Sequence, residues 1–257
     1  MKLITSFCLL LLLPLIGQAF DYAGYNRLID RADRYLANSN YPDAILNYDS
    51  ALQLNSSPQA KTLQNAVTAA MKSNQLDKAM SYASRLSKLG VGAAYFKKSE
   101  FNALKSDPAW NVLLADAERS KKGFEKNNKL LLQRLQAMRI AAAKEEQEYL
   151  ASGRSYADQR SFIHQKDSLG NILLQMFNKA GYLSEYKIGV TLVDGELADP
   201  IFTAVIQMNT KLPAPPDLFE LVINQSLKAI LTQYYKQGLI DEGYLSRLGY
   251  GSIAKEI

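Results

Sequence analysis

Apolar and small residues recur at three- and four-residue spacing through the front of the chain. Leu28, Ala32 and Tyr35 share one helical face, and after the Asn38-Ser39-Asn40 turn so do Ala44, Tyr48 and Ala51. That pattern predicts two antiparallel amphipathic helices, with Pro42 in the first turn of the second. Ser57-Pro58 opens a further helix carrying Leu63, Val67 and Ala70. Another with Leu76, Ala79, Ala83 and Leu86 follows and is closed by Gly90. Asp43-Ala44-Ile45 and Lys78-Ala79-Met80 stand 35 positions apart, so the second hairpin repeats the first.

A helical hairpin repeated at about 34 residues resembles the tetratricopeptide repeat family, here over residues 22–118 if the following stretch is counted as a cap. About three such hairpins normally make an independent solenoid, so the second copy needs a cover. Ala93 to Arg119 supplies one, with Phe96, Phe101, Leu104, Trp110, Leu113 and Leu114. Asp107-Pro108 reads as a helix cap and first position. Trp110 beside a leucine pair fits a core position better than a binding surface.

The resemblance implies ligand binding along the face built by the first helix of each hairpin. Mapping the repeat frame puts Asn26, Ile29, Asp33 and Leu36 there, with Lys61, Gln64, Thr68 and Met71 from the second copy. Of these, Asn26, Asp33, Lys61, Gln64, Thr68 and Met71 are the candidate partner-binding residues. Relatives that clamp a peptide carboxylate use Lys, Asn and Arg at such places; this chain offers chiefly Asp33, amides and Lys61, which argues against a carboxylate clamp. A groove that only packs against the rest of the chain is the alternative.

From Leu130 the pattern changes to longer helices without the repeat frame. Leu131, Leu135, Met138 and Ala142 share a face, as do Leu169, Ile172, Leu173, Met176 and Phe177 between Asp167 and Gly181. Tyr186 to Val193 predicts a short strand interrupted by Gly189. Asp199-Pro200 predicts a cap, and a helix is expected from Asp217 to about Gln237 after the Pro213, Pro215 and Pro216 break. Asp167-x-x-x-Asn171, Asn178-Lys179-Ala180-Gly181, Ile188-Gly189, Gln207, Ser246-Arg247 and Tyr250-Gly251-Ser252 together resemble a helical domain of unknown function found in exported bacterial proteins. Its members carry Gln-His, Asp-Arg and Tyr-Gly-Thr where this chain has Met208, Ser246 and Ser252 as replacements. The resemblance implies that an active site in that domain would here lack its ionisable members, leaving Gln207 and Arg247.

The fold expected is therefore all-α: a short hairpin solenoid over residues 20–119, a basic joining segment at 120–129, and an irregular helical domain over 130–257. Residues 1–19 read as a secretory signal peptide, with Lys2, the apolar run Phe7 to Ile16 and the small-residue site Gly17-Gln18-Ala19. The expected location is periplasmic or extracellular, with no membrane span once the signal is removed. The sole cysteine, Cys8, leaves with that segment, which excludes disulfides and thiolate chemistry.

Composition changes little else. Lys and Arg number 30 against 25 acids, a mild excess, and its densest part is Arg119, Lys121, Lys122, Lys126 and Lys129. That run fits a solvated helix face better than a nucleic-acid site. His164 is the single histidine, so no histidine-pair metal site can form, and no cofactor fingerprint is present. The leading reading is a non-enzymatic interaction or scaffold protein that binds an unidentified protein or peptide. The alternative is an envelope hydrolase-like enzyme using His164, Asp167, Gln207 or Arg247; a homo-oligomeric structural subunit is a third.

Overall fold

The computed structural model describes residues 22–152, 156–193, 195–201, 225–236, 240 and 245. Among the described residues the fold is all-α apart from one two-stranded sheet. The expected signal peptide, Gln207, Arg247 and the Tyr250-Gly251-Ser252 ending lie outside the described residues.

Helices α1 (Tyr22–Ala37) and α2 (Tyr41–Leu54) pair as a hairpin, and α3 (Ala60–Lys72) and α4 (Leu76–Ser87) form the next. Their turns are built alike, bond for bond. Ser39 N–H donates to the Leu36 carbonyl and Asn40 N–H to that of Tyr35; Asn74 and Gln75 do the same to Met71 and Ala70. These are Schellman turns, whose left-handed residue is usually glycine. Here it is Ser39 at φ 60° and Asn74 at φ 55°, both polar residues in the place of that glycine. Every one of these bonds recurs 35 positions later. Between the helices Ala32, Ala44, Ala51, Ala66, Ala70, Ala79 and Ala83 are fully buried, and their small side chains permit close backbone approach.

The end of the second hairpin is covered as expected. Gly90 and Gly92, both at positive φ, turn the chain into α5 (Ala93–Phe96), followed by a 3₁₀ segment (Ser99–Leu104) and α6 (Trp110–Asn127). The Tyr95, Phe96 and Phe101 rings meet pairwise with centroids 5.2–5.3 Å apart and join Trp110, Leu113 and Ala117 in the same core. The Asp107 carboxylate accepts the Ala109 N–H at 2.7 Å, satisfying an amide just ahead of α6.

The basic joining segment is helical. α6 continues to Asn127, held along its surface by Arg119–Asp116, Lys122–Glu118 and Lys121–Glu125 pairs at 2.6, 3.8 and 3.8 Å. Asn128 alone separates it from α7 (Lys129–Ala151).

A second core joins α7 to α8 (Tyr156–Ala180) and α10 (Gln225–Lys236) through Leu135, Met138, Leu173, Phe177, Leu231 and Tyr234. α8 begins well before Asp167, so His164 lies within the helix rather than ahead of it; no proline breaks the stretch, and Gly170 is buried inside it. The strand expected over Tyr186 to Val193 is divided. Glu185–Ile188 forms a helical turn, α9, and Gly189 at φ 81° redirects the chain into β1 (Thr191–Val193). β1 pairs antiparallel with β2 (Glu196–Ala198).

The α9–β1–β2 segment straps the two halves together. The Glu185 carboxylate accepts Ala60 N–H at 2.5 Å, at the start of α3. Val190 N–H donates to the Leu89 carbonyl at 2.9 Å, and Lys98 donates to that of Gly195 at 2.5 Å. Asn128 donates from its side chain to the Lys187 carbonyl at 3.1 Å. Ile188 belongs to the second core, while Val190 and Leu197 pack on the first.

Candidate functional site

α1 and α3 are neighbours, linked by the Asn65–Asp33 hydrogen bond, and carry the row of residues expected on the first helix of each hairpin. Their roles divide sharply. Asp33 on α1 is half-buried and accepts two hydrogen bonds on one oxygen, from the hydroxyl of Tyr48 on α2 and from Asn65 on α3 at 3.0 Å. It ties three helices together. Tyr48 is fully buried, and burial, then the Asp33 hydrogen bond and charge, push its hydroxyl far above the ordinary value.

Lys61, Gln64 and Thr68 make a connected line along α3. The exposed Lys61 ammonium donates to Gln64 Oε1 at 3.0 Å, Gln64 Nε2 to the Tyr95 hydroxyl at 2.8 Å, and Thr68 to the Gln64 carbonyl at 3.0 Å. Lys98 then stands 4.7 Å from the centre of the Tyr95 ring. Burial raises the Tyr95 hydroxyl too, with Glu100 adding to the effect. Asn26 and Met71 are half-buried at the edges of the row, Met71 resting on the first core.

The row offers amide, hydroxyl and ammonium groups at fixed spacing. Asn65 and Tyr95 went unrecognised in the sequence. Asn65 follows Gln64 directly, and its polar side chain beside a helix face of small residues is the only signal; Tyr95 lies in a stretch whose apolar pattern reads entirely as a cap.

Of the four catalytic candidates, His164 and Asp167 stand three residues apart on α8, and Gln207 and Arg247 lie outside the described residues. His164 is exposed and Asp167 half-buried, both on α8, and the His164 carbonyl accepts the Ser168 hydroxyl at 2.9 Å. Among the described residues no group of histidine, cysteine and carboxylate side chains is placed to hold a metal, and no helix is long and apolar enough to cross a membrane. No family model, curated protein or solved structure matches the chain.

Asp33 therefore acts chiefly on stability. Asp33→Ala strands the buried Tyr48 hydroxyl and should cost about 1–3 kcal/mol. Lys61→Ala, at an exposed site, should stay within about 0.5 kcal/mol of wild type. Urea unfolding of the two variants checks both values.

Proposed function

We propose that the protein is an exported, non-enzymatic interaction module of tetratricopeptide type, holding an extended polypeptide along the α1/α3 row. The observation that carries this reading is the bond-for-bond repetition of the two hairpin turns at 35 positions, because a strict repeat sets α1 and α3 in the same relation to their partners and leaves their polar edge as a ladder. Lys61, exposed, and Gln64, half-buried and braced from beneath by the buried Tyr95, supply an ammonium and an amide for a main chain in that position. Export rests on the residue 1–19 pattern.

Site-specific photo-cross-linking in cells tests it. A cross-linker introduced at Lys61 or at Asn26 should capture a defined polypeptide, while one at Leu46, exposed on α2, should not. Equal capture at all three positions, or capture from α2 alone, would overturn the reading. Asp33 is left intact, so that loss of capture cannot arise from unfolding.

A further inference from the structure

A cavity of about 280 Å³ opens where the strap crosses from one half to the other, away from the α1/α3 row. Its walls are Val91, Phe124, Leu132, Ile188, Val190 and Leu192. Its polar groups are few: Lys121 and Glu125 from α6, and Thr191, whose hydroxyl donates to the Ala198 carbonyl at 3.3 Å. Leu192 is 40 % exposed, so a large apolar side chain stands open to solvent on this wall.

The space is bounded by groups that cannot easily close in. The Phe124 ring lies between Gly90 and Gly189, where an added Cβ would stand only 2.7 and 2.9 Å from ring atoms. Both glycines are at φ 81°. The stem of Lys121 is placed in the same way, its Cδ 2.7 Å from where a Cβ on Gly92 would be. Ligand sites favour such junctions between structural units, apolar in lining with few polar groups.

We propose that this cavity binds a medium-chain aliphatic carboxylate, its chain against Phe124, Leu132 and Val190 and its head group on the Lys121 ammonium. The volume sets the chain length. An apolar cavity of about 150 Å³ takes a benzene ring, so nearly twice that space takes about eight to twelve carbons and excludes a two-chain lipid. The charge of Lys121 selects an anionic head. Its present partner Glu125 is 3.8 Å away and both side chains are substantially exposed, so the pair holds little energy and the entering carboxylate takes Glu125's place.

Decanoate titrated calorimetrically into the full chain is the direct test. One decanoate should bind per chain, saturably. Leu132→Trp and Leu192→Trp, which fill the space from α7 and from β1, should abolish binding. Lys121→Gln should weaken it about tenfold, and Glu125→Gln should strengthen it; both are exposed substitutions that leave the fold intact, as circular dichroism would verify. Failure of decanoate to saturate at millimolar concentration overturns the proposal. So does binding that survives both tryptophans, or that responds to neither change of charge.

Discussion

Gly189→Ala is expected to be among the most damaging single substitutions in the chain. At φ 81° and ψ 179° the residue occupies backbone space open essentially to glycine alone, and a side chain there costs roughly 1–3 kcal/mol. The new methyl would also stand 2.9 Å from Phe124 Cγ. Displacing that ring adds about 1–3 kcal/mol of overpacking. The two contributions separate in a double-mutant cycle with Phe124→Ala, since removing the ring relieves the collision and leaves the backbone strain. Urea unfolding should show Gly189→Ala costing less in the Phe124→Ala background than in wild type. Equal costs in both backgrounds would mean that the ring is not held by Gly189.

Alkaline solution should be nearly as destructive. Tyr48, Tyr82 and Tyr95 are all buried, and burial is the first cause that lifts each hydroxyl well above its ordinary value of 10.0. For Tyr48 and Tyr82 a hydrogen-bonded carboxylate, Asp33 or Asp49, adds to the rise. Below 10.0 these tyrosines carry their protons whether the chain is folded or not, and stability is undiminished. Above it the unfolded chain ionises first and binds fewer protons than the folded one, so stability falls as pH rises. Each tyrosine contributes about 1.4 kcal/mol per pH unit, roughly 4 kcal/mol for the three together. The loss continues until pH reaches the raised folded values. Urea unfolding at about pH 9 and about pH 11 measures the slope. Tyr48→Phe with Tyr82→Phe should lower the slope by about 2.8 kcal/mol per pH unit, leaving the part that Tyr95, Tyr186 and Tyr234, also raised by burial, contribute; an unchanged slope would refute the assignment.

The front half was legible in the sequence because its signals are local. Helical spacing of alanines and aromatics, the Asn38-Ser39-Asn40 turn and Pro42 each act within a few residues and stand where the pattern put them. The cap expected at Asp107 moves: α6 starts at Trp110 with Ala109 as its N-cap, and Asp107 holds the Ala109 amide ahead of it. The candidate row was legible as a face but not as chemistry. Asp33 looks like a surface acid until Tyr48 and Asn65 are brought to it from two other helices. The strap was hidden for the same reason. Glu185 meets Ala60 across 125 positions, and nothing local to either residue announces the contact. Gly189 was visible as an interruption, yet the ring that requires it lies on α6, a helix whose sequence shows mainly charge.

The strap also gives the molecule an order in time. A chain synthesised from its N-terminus presents α1 to α6 long before residue 185 arrives. During that interval α3 has no acceptor from Glu185 at its first amide, the Leu89 carbonyl lacks its Val190 partner, and one face of Phe124 is bare. Domains tend to fold as they emerge, so the hairpins can form early but reach their final stability only when the strap docks. Contacts spanning 125 and 97 positions are slow to close. Docking of the strap is thus the step that seals the joint, and the early half waits with its seam open until then.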